Sequence, residues 1–222
     1  MKTAEARQPV HIGKVVRNAR IFNFRHPQGG SLNDSALLEA VERLFALLEE
    51  RRIDYLLVGG IALFEHVQVL NTEPIALILA LASLDRLPEL RRVSQKDDFA
   101  RADFQGLQID LLLTRNPLFD EVRRHHATRR RFAEREIPCA TPEGLVLLKL
   151  YALPTLYRQG DVTRAALYET DVLTLMHRHG VDSEPLLAEL EPHVSATDLV
   201  ALRQIVTEIR QRIERSGSRF AG

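Results

Sequence analysis

Two nearby segments decide the fold of this chain: residues 55–60, with the sequence YLLVGG, and residues 71–79, with the sequence NTEPIALIL. The first segment is a short apolar run that ends at a glycine pair, a pattern typical of a buried strand followed by a turn. The second also has the composition of a strand, but it begins around Pro74, and proline has no N–H to donate to a sheet. Residues 61–69, between the two, suit a short helix.

Outward from these segments, helix and strand patterns alternate. Apolar residues recur at helical spacing from Leu37 to Leu48, after good N-cap candidates at residues 33–35, and Arg51 and Arg52 are expected to close that helix. Further strands are predicted at residues 75–81 and 107–113 (LQIDLLL), with a helix over residues 83–90 between them. The order predicts an α/β sheet domain at residues 35–140.

The remainder of the chain, residues 141–222, is predicted to be a helical domain. Thr141 and Pro142 are a typical N-cap and first helical residue, and we expect Pro154 to end that helix. Further helices are expected at residues 161–177, 184–190 and 197–215, the last capped by Ser195 or Thr197. Residues 1–34 form a basic N-terminal arm in which residues 13–16 suit a short strand.

Composition excludes several classes of protein. The 222 residues are 45% hydrophobic and carry no net charge, so nothing global indicates a nucleic acid or an anionic membrane as partner. The single cysteine, Cys139, excludes an internal disulfide framework and a cysteine-based zinc site. No apolar run approaches the ~20 residues that span a bilayer, and the N-terminus lacks the apolar core of a signal peptide. We therefore expect a cytoplasmic protein without a membrane association.

Several segments together carry a resemblance to a known superfamily. They are residues 58–62 (VGGIA), Thr72, residues 108–112 (QIDLL), a helical signature over residues 137–145 that runs into Lys149 and Leu150, and Asp171. In these segments the chain resembles the nucleotidyltransferase-fold superfamily, particularly its minimal, polymerase-β-like bacterial members of abortive-infection and toxin–antitoxin pairs. The resemblance implies a mixed sheet with flanking helices, followed by a C-terminal helical bundle.

The resemblance also implies where metal ligands belong. In the superfamily two carboxylates one residue apart on a strand hold the metal ions, a third comes from a neighbouring strand, and a threonine lies two residues before the first. Placing Thr72 at that threonine puts Pro74 and Ala76 at the two carboxylate positions, and neither can bind a metal. If Glu73 is taken as the first carboxylate, its partner becomes Ile75. The paired strand carboxylates are therefore absent.

The candidate site residues follow from the same comparison. Asp110 is the one surviving catalytic or metal-binding candidate; its alternatives are a ligand-binding acid paired with a nearby arginine and a strand-end acid that is solvent-exposed or salt-bridged. The residues expected near phosphates are Gly59, Gly60, Thr72 and Lys149. Gly59 and Gly60 are equally compatible with a plain turn, and Lys149 with a surface lysine whose stem is buried.

A dense basic run, RRHHATRRR, covers residues 123–131, and Arg135 extends it. It includes Arg123, Arg124, Arg129, Arg130 and Arg131. Such a run favours binding of nucleic acid phosphates or of an acidic partner protein, while the alternative is a solvated loop whose arginines pair with neighbouring glutamates.

Three functional hypotheses remain open at this stage. The first is a catalytically degenerate nucleotidyltransferase-fold protein that acts by binding a partner: a toxin–antitoxin or defence-type protein, a nucleic acid, or its own copy. The second is an active, Mg²⁺- and NTP-dependent transferase with a displaced metal site built from Glu73, Asp110 and either Asp103 or Asp85. The third is a small-molecule nucleotide-binding regulator in which Gly59, Gly60, Lys149 and arginine side chains hold the phosphates without catalysis.

Overall fold

The computed structural model of the chain describes residues 9–16, 34–67, 75–133 and 135–219. The helices are α1 (Asp34–Glu50), α2 (Gly59–Val67), α3 (Pro117–His125), α4 (Pro142–Arg158), α5 (Val162–His179), α6 (Ser183–Leu190) and α7 (Ala196–Arg219). The strands are β1 (Tyr55–Val58), β2 (Ile75–Leu79), β3 (Arg91–Lys96), β4 (Phe99–Phe104), β5 (Leu107–Leu113), β6 (Ala127–Arg131) and β7 (Glu136–Ala140). Short 3-10 helices cover Leu81–Arg86 and Glu191–His193.

All seven strands form one mixed sheet in the order β3-β4-β5-β2-β1-β7-β6. β2 runs parallel to β5 and β1 runs parallel to β7, whereas the other neighbours are antiparallel. β1 and β2 lie near the centre, and every residue of both strands is buried. Burial on both faces explains why each of these segments is a continuous apolar run rather than an alternating one.

The helices cover the sheet and then continue as a C-terminal layer. The predicted apolar face of α1 is confirmed, because Leu37, Val41 and Leu48 are buried in the core with their helical neighbours. Thr141 caps α4 by accepting a hydrogen bond from the Gly144 N–H at 3.3 Å, as its sequence predicts. The predicted α/β class, a mixed sheet with flanking helices followed by C-terminal helices, is confirmed.

The helix predicted at residues 83–90 is wrong. Leu81–Arg86 forms a 3-10 helix instead, and two strands that the sequence analysis missed, β3 and β4, follow it. Every residue of β3 is exposed, so this edge strand has no apolar face to identify it. The turn from β4 to β5 consists of Gln105 and Gly106, both with positive φ, as in the tight turns that join antiparallel strands.

Further corrections concern residues 123–145. The basic run is not a loop: Arg123 and Arg124 lie in the last turn of α3, and Arg129, Arg130 and Arg131 lie on the edge strand β6. The segment interpreted as a helical signature begins with β7, and its helix starts only at Pro142.

Three smaller predictions are also wrong. Pro154 lies inside α4, which continues to Arg158 because buried residues on both sides of the proline pack the helix onto the core. α1 ends at Glu50, so Arg51 and Arg52 lie beyond it. Residues 12–16 are helical rather than extended. Most of the N-terminal arm lies outside the described residues, so the domain boundaries stay predictions.

Candidate functional site

A cavity of about 680 Å³ lies where one face of the sheet meets the C-terminal helices. Its walls come from β1 to β5 on one side and from α4, α5 and residues 193–198 on the other. The volume is within the range of small-molecule sites, roughly 300–1,000 Å³.

One row of residues crosses the sheet beneath this cavity. The strand registers place Ser94 beside Arg101, Arg101 beside Asp110, Asp110 beside Ala76, and Ala76 beside Val58. All five residues line the cavity. The position expected for the second strand carboxylate, Ala76, is therefore the immediate neighbour of Asp110, as the resemblance implies.

The Asp110 carboxylate is bound to Arg101. Arg101 Nε donates to Asp110 Oδ1 at 3.0 Å, and the two side chains are 51% and 29% exposed. This contact fits two of the interpretations, a ligand-binding acid paired with an arginine and a salt-bridged strand residue. Arg101 was not among the predicted site residues. The alternation of Ala100, Ala102 and Phe104, followed by Gln105-Gly106, is nevertheless typical of a strand and a turn and would have predicted β4.

The described residues do not fit a divalent metal site. No group of three or more histidine, cysteine, aspartate or glutamate side chains is arranged for metal binding in the described part of the chain. The carboxylates that line the cavity are Asp110 and Asp198, and each is paired with an arginine. Mg²⁺ and related ions need several oxygen ligands, which this pair of engaged carboxylates does not supply.

The proposed displaced metal site is not assembled by its described members either. Asp85 and Asp103 do not line the cavity that Asp110 lines. Asp103 faces Arg91 on the neighbouring edge strand, with Nη2 and Oδ1 3.8 Å apart. Thr72, Glu73 and Pro74 lie outside the described residues.

Lys149 reaches the cavity from α4, but its ammonium group is engaged elsewhere. Nζ lies 2.7 Å from Asp171 Oδ2 on α5, and both side chains are only 5% exposed. The ring of Tyr168 covers the same nitrogen, with its centroid 4.0 Å away. Lys149 and Asp171 therefore form a buried pair that joins two helices.

A third ion pair closes the helical side of the cavity. Arg158 Nη1, at the end of α4, lies 2.8 Å from Asp198 Oδ1 in the first turn of α7. Five cationic side chains and two carboxylates line the cavity, histidine excepted; because Asp171 neutralises Lys149, four cations and two carboxylates set the charge of the lining. The five cationic residues are Lys96, Arg101, Lys149, Arg158 and Arg164. The lining therefore carries a positive balance that favours an anion.

Aromatic rings form the apolar part of the wall. Phe99 is 50% exposed, which is unusual for phenylalanine, and its ring packs edge-on against Phe119 with centroids 5.3 Å apart. Phe119 in turn packs edge-on against Tyr151 at 5.7 Å. Asn116 fixes Tyr151 by a 3.0 Å hydrogen bond to its hydroxyl group. The cavity thus combines a flat apolar surface with cationic groups.

The glycine pair lies at the junction of β1 and α2. Gly59 lines the cavity and has a φ of 69°, a left-handed conformation that glycine adopts without strain. Gly60 is buried behind it and does not line the cavity. Because helix N–H groups point out of the N-terminus, α2 presents its positive dipole end near this wall.

The arginines of the predicted basic patch fall into two groups: those of α3 form ion pairs with aspartates, and those of β6 are exposed or partly buried. Arg123 pairs with Asp54 and, at 2.8 Å, with Asp120, and Arg124 also pairs with Asp120 at 2.8 Å. The neighbouring His126 contacts Glu189. Arg129 and Arg131 remain exposed on β6. Arg130 is partly buried, and its Nε has no hydrogen-bond partner among the described residues. None of these arginines lines the cavity.

The loop before α5 is a structural network. Asp161 caps α5 by accepting a hydrogen bond from the Arg164 N–H at 3.1 Å. The Tyr157 hydroxyl donates to Glu169, and this bond raises the pKa of Tyr157 to about 12. Arg164 Nη2 donates to the Tyr168 hydroxyl at 3.1 Å, one turn further along the same helix.

Two buried groups near β7 are poorly suited to chemistry. Burial raises the pKa of the Cys139 thiol to about 12, so the reactive thiolate is suppressed. Burial also lowers the pKa of His66, an effect opposed by the hydrogen bond from its Nε2 to the Ala140 carbonyl at 2.8 Å. The charges of Arg130 and His179 lower the pKa of His66 further, while Glu143 raises it.

No protein-family model matches this chain, and no curated protein is significantly similar to it in sequence. Solved structures do resemble it. An antigenic nucleotidyltransferase-like protein from Paracoccidioides brasiliensis is 16% identical with a TM-score of 0.52, covering 80% of this chain and 89% of that one. ANT(2″)-Ia in complex with adenylyl-2″-tobramycin is 12% identical with a TM-score of 0.51, covering 78% and 98%. This chain has the nucleotidyltransferase fold.

Proposed function

We propose that this protein binds a nucleotide in the cavity without transferring it. The observation that carries the proposal is the ion pair between Arg101 and Asp110, the one carboxylate in the row of residues that crosses the sheet. This pair lies in a cavity whose lining is positively charged. A nucleotide-binding protein of this kind keeps the fold while its chemistry has been lost, since fold does not dictate function.

The chemistry of the lining supports a nucleotide as the ligand class. Arginine guanidinium groups form forked, charge-assisted hydrogen bonds that suit phosphate oxygens, and Arg101, Arg158 and Arg164 all line the cavity. The exposed ring of Phe99 offers a flat face on which a base can stack. The N-terminus of α2 adds backbone donors near Gly59.

Metal-dependent transfer is disfavoured by the same residues. Phosphoryl transfer depends on metal ions that neutralise the phosphates and align the reacting oxygens. Ala76 supplies no ligand beside Asp110, and Asp198 is engaged by Arg158. An active transferase would need ligands that the described residues do not bring to the cavity.

A titration of ATP followed by backbone amide chemical shifts tests the proposed function. We expect saturable shifts that cluster around Gly59, Ala76, Arg101 and the start of α5, because these positions surround the cavity. Arg158→Gln should weaken binding several-fold, whereas Arg203→Gln, which changes an exposed α7 arginine outside the cavity lining, should not. Absence of saturable shifts, or shifts confined to β6, would contradict the proposal.

The exposed arginines of the edge strand β6 support a second candidate function, the binding of a polyanionic partner. Arg129 and Arg131 are exposed on the same side of the strand, which is the last named strand of the sheet among the described residues; an isolated bridge joins Val10 to Phe132 beside its end. An acidic protein, such as the second member of a toxin–antitoxin or defence pair, or a nucleic acid fits this surface. A second copy paired through the same edge fits less well, because like charges would oppose each other.

Salt-dependent binding of a duplex oligonucleotide tests the nucleic acid version of this candidate. We expect Arg129→Glu with Arg131→Glu to abolish binding and to leave ATP binding in the cavity unchanged. Unaltered oligonucleotide binding by the double variant would remove β6 as the contact surface, and absence of binding by the original protein would leave the acidic protein as the remaining partner class.

A further inference from the structure

We propose that Arg101 takes the place of the metal ion in this cleft, so that the protein binds phosphate groups through a cation built into its own sheet and needs no divalent metal. The inference rests on the proposed nucleotide-binding function and adds how the phosphate is held. It follows from the disagreement between the metal site that the fold implies and the residues that this chain carries.

The position of Arg101 is fixed by strand register. Arg101 lies opposite Asp110 in the antiparallel pair of β4 and β5, and Asp110 lies beside Ala76 in the parallel pair of β5 and β2. The guanidinium group therefore sits against the one carboxylate left at the position where a metal would be coordinated. A positive charge is still present there, but it is covalently part of the chain.

The bonding of Arg101 leaves donors for a ligand. A guanidinium group carries five N–H donors, and the contact with Asp110 uses the one on Nε. Within the described residues no hydrogen bond is made by Nη1 or Nη2 of Arg101, and half of the side chain is exposed in the cavity wall. The free edge of the fork can therefore bind two oxygens of one phosphate group.

Asp110 acquires a different role in this arrangement. Its carboxylate orients the guanidinium group by holding Nε, which fixes the direction of the remaining donors. It also makes metal binding less favourable, because a divalent cation approaching Asp110 must displace Arg101 or lie close to its charge. Metal-free ATP, with its larger negative charge, is then the better ligand.

Calorimetric titration with ATP in excess EDTA and again in excess Mg²⁺ tests this inference. The original protein should bind metal-free ATP at least as tightly as Mg²⁺-bound ATP. Arg101→Met should weaken binding of metal-free ATP by about tenfold to a hundredfold, and Arg101→Lys should fall between, because lysine keeps the charge and loses the fork. Asp110→Asn should bind ATP several-fold more tightly, since it removes a negative charge.

Arg43→Met is the matched control, because Arg43 is 53% exposed, pairs with Glu50 and does not line the cavity. Its ATP affinity should equal that of the original protein. Binding that requires Mg²⁺ and disappears in Asp110→Asn would overturn the inference while leaving nucleotide binding intact. An unchanged affinity of Arg101→Met for metal-free ATP would also overturn the inference and leave nucleotide binding intact. Absence of binding in both EDTA and Mg²⁺ would overturn this inference and the proposed function together.

Discussion

Two ion pairs at the edge of one cavity differ in what surrounds them. Lys149 and Asp171 lie 2.7 Å apart with both side chains 5% exposed, whereas Arg101 and Asp110 lie 3.0 Å apart with 51% and 29% of their side chains exposed. Both join a basic residue to an aspartate across two elements. The first pair is sealed beneath Tyr168, while the second faces open space in the cavity wall.

The contrast supports the proposal that the buried pair is structural and that the exposed pair is the one with donors available to a ligand. A buried pair cannot exchange partners without leaving a charge desolvated, so Lys149 is committed to Asp171. An exposed pair contributes little to stability and keeps donors that a ligand can use. Lys149, which sequence patterns suggested for phosphate binding, is thus better placed to join α4 to α5.

The largest expected effect is on the buried pair. Lys149→Met should lower the free energy of unfolding by about 3–5 kcal/mol, because the buried Asp171 carboxylate loses the ammonium group that balances its charge. Urea denaturation measures the change. The double variant Lys149→Met with Asp171→Leu should recover most of the loss, since it removes both charges. A loss below about 1 kcal/mol in the single variant would show that the pair does not stabilise the helical layer.

The exposed pair can be converted into a metal site as a second test. Ala76→Asp combined with Arg101→Ala places a carboxylate beside Asp110 and removes the guanidinium group, which restores two of the ligands that the fold implies. We expect this variant to bind Mn²⁺, measured by loss of the free-ion electron paramagnetic resonance signal, and the original protein to leave the signal unchanged. Equal Mn²⁺ binding by both proteins would contradict the account of Arg101.

A third buried polar group, His66, predicts a pH effect of intermediate size. Its pKa is lowered in the folded protein, so the unfolded chain takes up the proton first as the pH falls below about 6.5. Stability should therefore decrease from pH 7 to pH 5. His66→Gln should reduce this dependence, and His125→Gln, an exposed control, should not. An identical pH profile for His66→Gln would show that other groups dominate.

Removing the exposed Arg101–Asp110 pair should have the least effect on stability. Arg101→Met should change the free energy of unfolding by no more than about 1 kcal/mol, because exposed pairs contribute little. The same urea experiment as for Lys149→Met measures it. A loss comparable to that of Lys149→Met would mean that the Arg101–Asp110 pair is structural and would weaken its assignment to a ligand.

The sequence predicted the strands in which apolar residues predominate: β1 and β2 are buried on both faces, and β5 has one buried face. β1, β2 and β5 are apolar runs, and their identification required no knowledge of their neighbours. The edge strands β3 and β6 each contain a single apolar residue, Val93 and Ala127, so hydrophobic patterning does not reveal them. Pro154 was expected to break α4, but packing on both sides of it outweighs the local preference.

Only part of the candidate site was predicted, and none of its ion pairs was. Asp110 and Lys149 were identified, yet the partner of each is fixed by register or helix packing that no local pattern contains. Arg101 meets Asp110 only because the Gln105-Gly106 turn sets the pairing of β4 with β5. Recognising that turn would have brought Arg101 into the site from the sequence alone.

The most direct test of the central claim is incorporation of label from α-³²P-labelled nucleoside triphosphates into protein or RNA, with Mg²⁺ or Mn²⁺ present, at protein concentrations that saturate nucleotide binding. The account predicts bound nucleotide and no incorporation above a heat-denatured control. Robust incorporation that disappears in Asp110→Asn would contradict it, because it would show that Asp110 still serves metal-dependent transfer.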